Sequence, residues 1–158
     1  MILYHGTNVH FNDIDLQKSN NNKDFGKGFY LSEDLKQAEV MASFKVSLLG
    51  GDIVINKYEV ADNILEDQEL SVKVFGDYSE EWAKFVFENR TSGTGVHNHS
   101  YDIVYGPIAN DRVGLQIRKL QDGLIDFDEF MRKVKYMKGI TFQYFFATEK
   151  AISKLKRL

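Results

Sequence analysis

The feature that most constrains the fold is the irregular order in which strand-like and helix-like segments follow one another. Two strand patterns, 52–60 and 69–75, are consecutive, with helical spacing before them in 32–47 and after them from Ser79 to Arg90. A doubly wound parallel sheet needs strands and helices in alternation. The order therefore predicts an α+β domain and argues against a doubly wound sheet.

Six segments have the composition of short strands: 1–4, 29–31, 52–60, 69–75, 101–105 and 140–147. In 69–75, Leu70, Val72 and Val74 are predicted to form the buried face of a half-buried strand. Helices are predicted from Ser32 or Asp34, Ser79, Asp126 and Thr148, whose side chains can each cap a first turn. The last of these is expected to carry Ala151, Ile152, Leu155 and Leu158 to the C-terminus, and 8–24 and 91–100 are predicted loops.

Composition indicates a single domain over residues 1–158. The chain has one proline, no repeat and 13% aromatic residues, which favours a sheet-rich core. A net charge of −3 gives no reason to expect a general nucleic-acid binder, and the absence of cysteine excludes disulfides. No run approaches the roughly 20 apolar residues of a membrane span, and the N-terminus lacks a signal-peptide core. We therefore expect a cytoplasmic protein without a membrane partner.

Two short motifs carry the chemistry. His5 ends an apolar run and precedes Gly6-Thr7. One of its ring nitrogens can bond a ribose hydroxyl, and a glycine lets a planar amide reach the backbone. Tyr30 follows Gly26-Lys27-Gly28 and can present its ring face to a cationic pyridinium. The alternatives are a strand-end histidine with satisfied nitrogens and a core tyrosine.

Other motifs are weaker. The Gly26-Lys27-Gly28 spacing does not match a phosphate-binding P-loop. His97 and His99 flank Asn98, but no further ligands occur at metal-site spacing, so no metal is predicted. The roles of Asp102, Asn110 and Asp111 stay open at this stage: the last two suit either a turn or a cleft.

These motifs resemble a bacterial family of small proteins, DUF3990, which is itself similar to ADP-ribosyltransferases of the diphtheria-toxin and poly-ADP-ribose polymerase type. The resemblance extends over nearly the whole chain. It is carried by Tyr4-His5-Gly6 and the runs 24–31, 82–90, 102–111 and 143–148.

The resemblance implies two packed, mostly antiparallel sheets flanked by helices, with an NAD cleft between them. It implies transfer of ADP-ribose from NAD, as substrate, to a macromolecular acceptor, by catalytic residues His5, Tyr30 and Gln143. The further residues that it places against NAD are Gly6, Thr7, Gly28, Phe29, Ser32 and Met41. It also implies the toxin of a toxin–antitoxin pair, neutralised by a small partner protein.

Three positions depart from the patterns of these families. Met41 stands where the family often has tryptophan, and Asn110 where an aspartate is usual. Gln143 stands where transferases place glutamate; its amide can bond a ribose hydroxyl but cannot act as a base. The alternatives are therefore an NAD glycohydrolase and a non-enzymatic NAD-binding or protein-interaction module.

Overall fold

The computed structural model describes residues 1–92, 99–109, 111–135 and 139–158. In these ranges the chain forms two sheets flanked by helices, an α+β architecture as predicted. The strands are β1 (Ile2–Thr7), β2 (Phe29–Leu31), β3 (Val54–Glu59), β4 (Val72–Val74), β5 (Ile103–Pro107), β6 (Phe142–Phe146) and β7 (Lys156–Arg157). The helices are α1 (Leu35–Leu49), α2 (Glu80–Thr91), α3 (Asp111–Gln121), α4 (Phe127–Lys135) and α5 (Glu149–Ile152), with short 3-10 turns at Leu16–Lys18 and Ile64–Glu66.

The pairing is mostly antiparallel. One sheet has the order β1-β3-β7, and the other has the order β2-β6-β5-β4, in which only the β4–β5 pair is parallel. Backbone bonds between Tyr4 and Ser32, of 2.8 and 2.9 Å, join the end of β2 to β1. This bridge brings the motifs around His5 and Tyr30 together.

The four-stranded sheet is buried on both faces, which explains the uninterrupted apolar run of β6. Phe145 packs in a core with residues of α2, α3 and α4, whereas Tyr144 and Phe146 pack in a second core with residues of β1 and β3. Alternate side chains of a strand point to opposite faces, so both sets are buried. Trp82 is fully buried, and its indole N–H donates to the carbonyl of Pro107 at 3.1 Å.

Three predicted helix starts are confirmed by their caps. Asp34, Ser79 and Thr148 each accept a backbone N–H of the following turn at 2.9–3.2 Å. This satisfies donors that a helix leaves unpaired at its start. Asp126 likewise accepts the N–H of Glu129 at 2.7 Å, just before α4.

The predicted C-terminal helix is wrong beyond its first turn. The helix ends at Ile152, and Lys156 and Arg157 form β7 against Glu59 and Tyr58. Pairing with the free edge of β3 satisfies backbone groups there and outweighs the helical spacing of Leu155 and Leu158.

The predicted face of the strand in 69–75 is also wrong at its end. Phe75 is buried and Val74 is 48% exposed. The reason is that β4 is an edge strand, paired only with β5, and Phe75 turns into the core beside Phe25.

Two further elements differ from prediction. Strand β1 continues to Thr7, so His5, Gly6 and Thr7 lie within the strand. Helix α3 was not predicted, although Val113 and Ile117 on it are buried at helical spacing.

Candidate functional site

One open cavity of about 930 Å³ lies where β1, β2, β6 and α1 meet the loop 8–24. All nine residues predicted to act on or contact NAD line it. They are His5, Gly6, Thr7, Gly28, Phe29, Tyr30, Ser32, Met41 and Gln143. The topology thus brings together residues as far apart in the sequence as His5 and Gln143.

His5 is held as a neutral imidazole. Its Nδ1 lies 2.7 Å from the carbonyl oxygen of Tyr30, and because a carbonyl only accepts, Nδ1 carries the proton. Burial lowers the pKa of His5 to about 3, and the charges of Lys45 and Lys23 act in the same direction. The ring stacks on Phe29 with centroids 4.2 Å apart. Nε2 is therefore an unprotonated acceptor on a fixed ring.

Tyr30 is fixed through its hydroxyl. The hydroxyl donates to the carbonyl of Gly26 at 2.6 Å and accepts the N–H of Phe25 at 3.1 Å. Burial raises the pKa of Tyr30 well above its ordinary value, so the hydroxyl keeps its proton. The ammonium of Lys23 lies 5.0 Å from the ring centroid, over the ring. The π face of Tyr30 thus already holds a cation.

The fixed hydroxyl yields a prediction for Tyr30→Phe. This substitution should lower the free energy of unfolding by about 1–3 kcal/mol, because it leaves the Phe25 N–H without its acceptor. Urea denaturation measures the change. Tyr58→Phe is the matched control: the Tyr58 hydroxyl is buried without a partner among the described residues, so its loss should be neutral or stabilising. Equal losses in both variants would contradict the assigned role.

Gln143 is anchored to a buried carboxylate that sequence reasoning did not single out. Asp24 accepts the side-chain N–H of Gln143 at 3.1 Å and the backbone N–H of Ala109 at 2.9 Å. Its other oxygen accepts the Nε–H of Arg90 at 2.7 Å. Since the carboxylate only accepts, the amide of Gln143 must turn its N–H to Asp24, which leaves its oxygen for a ligand. The one sequence signal for this pair is that Asp24 and Arg90 each belong to a family motif, although the two motifs are separate.

Two of the predicted glycines are required by packing. A Cβ on Gly6 would lie 1.9 Å from the carbonyl oxygen of Ala38, so glycine lets α1 approach β1. A Cβ on Gly28 would lie 2.7 Å from the carbonyl oxygen of Phe146. The Gly6 carbonyl accepts a hydrogen bond from the ammonium of Lys45 at 2.9 Å. The backbone of Gly6 was predicted to be accessible to a planar amide. Close packing is thus sufficient reason for both glycines.

The other residues predicted to contact NAD, Thr7, Ser32 and Met41, differ in how far they are buried. Thr7 and Ser32 are buried, and Ser32 Oγ accepts the N–H of Asp34 at 3.0 Å. Met41 is 41% exposed on α1, at the cavity wall. Of the residues at helical spacing on α1, Ala38 and Ala42 are buried, whereas Leu35 and Met41 are exposed.

Several other candidates have structural roles or lie elsewhere. Asp102 accepts the N–H of Ser71 at 2.8 Å and the hydroxyl of Thr148 at 2.6 Å, which ties β5 to α5. His99 donates from Nε2 to the carbonyl of Phe25 at 2.7 Å and accepts the N–H of Tyr101 at Nδ1 at 3.1 Å. His97 and Asn110 lie outside the described residues, as does the side chain of Asp111.

The sequence profile of a family described as "Protein of unknown function (DUF3990)" matches residues 1–157. The chain belongs to the DUF3990 family. A comparison with curated proteins finds no significant match. Within the described ranges of this DUF3990 protein, no helix is long and apolar enough to cross a bilayer. The same ranges contain no group of three or more histidine, aspartate or glutamate side chains arranged to hold a metal ion.

Proposed function

We propose that this DUF3990 protein is an NAD-dependent ADP-ribosyltransferase with an ADP-ribosyltransferase-like fold. The observation that carries the proposal is the bond between His5 Nδ1 and the Tyr30 carbonyl, at 2.7 Å. It fixes a neutral histidine and a cation-binding tyrosine face beside each other in one cavity.

Each residue has a role that its geometry supports. Nε2 of His5 accepts a hydrogen bond from a ribose hydroxyl, because the ring proton is on Nδ1, which donates to the Tyr30 carbonyl. The ring of Tyr30 stacks on the nicotinamide cation, which replaces the Lys23 ammonium over that face. The amide oxygen of Gln143 accepts the 2′-hydroxyl, since its N–H is bound to Asp24.

The proposed reaction breaks the bond between C1′ of the ribose and the nicotinamide nitrogen. The bonding electrons leave with nicotinamide, which becomes neutral. A nucleophile of the macromolecular acceptor then bonds C1′ and releases its proton. Fixed acceptors next to the ribose stabilise the positive charge that develops there. The acceptor and a neutralising partner protein stay predictions of the family resemblance.

A non-enzymatic NAD-binding module is the second candidate. It is favoured by the amide at position 143 and by the ion pair that Asp24 forms. Among the described lining residues that are at least partly buried, Asp24 is the one carboxylate. Asp24 is occupied by Arg90, so it is not free to take a proton from an acceptor.

The test uses NAD labelled in its adenylate portion, incubated with the pure protein and with cell lysate. A transferase releases nicotinamide and labels a macromolecule, and His5→Ala should abolish both. Nicotinamide release without a labelled macromolecule would instead show a glycohydrolase, and saturable binding without release would show a binding module.

Gln143→Glu and Gln143→Ala sharpen the same experiment. A carboxylate at position 143 would face Asp24 across a contact that is 3.1 Å in the parent, so the two negative charges repel. We therefore expect both variants to lose activity at neutral pH, although a glutamate without a carboxylate beside it would be a better base than glutamine. Activity in Gln143→Glu at or above that of the parent would contradict the anchoring role of Asp24.

A further inference from the structure

We infer that Lys23 and Lys45 form an anion site in the cavity that binds the diphosphate of a dinucleotide. Lys45 projects from α1 and Lys23 from the loop before β2, and both line the cavity with His5. The inference deepens the proposed function and rests on it for the identity of the nucleotide, but not for the charge of the site.

The positions of the two ammonium groups are set by neutral partners. Lys45 donates to the Gly6 carbonyl at 2.9 Å, and Lys23 lies over the Tyr30 ring. When the proposed nicotinamide takes the place of Lys23 on that ring, the Lys23 ammonium turns to the phosphates. Neither forms an ion pair with a carboxylate of the described part of the chain. An ammonium has three donors, so each group can still bond an anion.

The charges of the inner wall are unbalanced. Among the described lining residues that are at least partly buried, Lys23, Lys45 and Arg90 are cationic and Asp24 is anionic. Arg90 neutralises Asp24 through two contacts of 2.5 and 2.7 Å. Two positive charges therefore remain, next to a histidine that is neutral.

The cost of this arrangement supports a ligand. Burial, and to a smaller extent the charge of Lys23, lower the pKa of Lys45 to about 8. Burial also lowers the pKa of Lys23, against the attraction of Asp24. A bound anion would offset both effects, because it favours the charged form of each lysine.

A diphosphate fits these donors better than a single carboxylate does. Two ammonium groups on separate elements match a ligand with two negative charges on neighbouring groups, and lysine binds phosphate as a point charge. The cavity of about 930 Å³ has room for groups on either side of the phosphates.

The experiment measures binding of ADP-ribose, inorganic pyrophosphate and nicotinamide riboside by calorimetry, without turnover. Lys45→Met and Lys23→Met should each weaken ADP-ribose binding about 10- to 100-fold, the size of one charge-assisted hydrogen bond. Binding of nicotinamide riboside, which has no phosphate, should not be weakened by either substitution. Lys45→Arg should keep most of the affinity, because it keeps the charge.

Lys36→Met on α1 and Lys27→Met on the loop are the matched controls, since neither residue lines the cavity. Equal weakening in the controls, or binding of neither ADP-ribose nor pyrophosphate by the parent, would overturn the inference. Binding of pyrophosphate without ADP-ribose would keep the anion site and overturn the dinucleotide. Within the described ranges the Lys23 side chain contacts the Tyr30 ring and does not hydrogen-bond the backbone, unlike that of Lys45, so Lys23→Met tests the site even if Lys45→Met fails to fold. These binding measurements do not require NAD turnover, so absence of the proposed enzymatic activity would be detected in a separate experiment.

Discussion

Asp24→Ala should lower the free energy of unfolding by about 3–5 kcal/mol, the cost of removing one partner of a buried ion pair. The Asp24 side chain is 7% exposed and that of Arg90 is 29% exposed. The substitution leaves the guanidinium without its carboxylate, and it also removes the acceptor of the Ala109 and Gln143 N–H groups. Urea denaturation at neutral pH measures the loss.

Glu80→Ala is the control for this prediction. It removes the exposed pair of Glu80 with Lys84 on α2, which should change stability by less than about 1 kcal/mol. A second comparison is Arg90→Met in the Asp24→Ala background. Removing the guanidinium that has lost its carboxylate should recover part of the lost stability. A small effect of Asp24→Ala, close to that of Glu80→Ala, would refute the buried network.

Acidification should destabilise the protein through His5. The folded pKa of about 3 lies below the ordinary value of 6.5, so the unfolded chain takes up a proton that the folded chain does not. The stabilising contribution is complete above about pH 6.5 and is lost as the pH falls towards the folded value, at roughly 1.4 kcal/mol per pH unit.

His5→Gln removes this titration and is the comparison for it. Between about pH 7 and about pH 5, the parent should lose roughly 2 kcal/mol more than the variant in urea denaturation. Parallel pH profiles would show that folding does not lower the pKa of His5, so that the folded protein takes up the same proton between these pH values. Nε2 would then stop being an acceptor for a ribose hydroxyl at acid pH, because a histidine cation only donates.

Local sequence patterns were sufficient for much of the fold. Ser79, with a helical apolar stripe after it, identifies α2, and the apolar run of 140–147 identifies β6. These features depend on neighbours a few residues away, whose spacing can be read along the chain. The nine residues that share a cavity were predicted through the family resemblance and not from local spacing.

The sequence by itself determined the α+β class, the family and most element positions. Only the tertiary structure decided that Asp24 pairs with Arg90 and holds Gln143, residues 66 and 119 positions away. It also decided that Gly6 is needed against α1, and that the C-terminus adds a strand to β3. Such contacts depend on which elements meet in space, and local periodicity carries no information about a partner on a distant element.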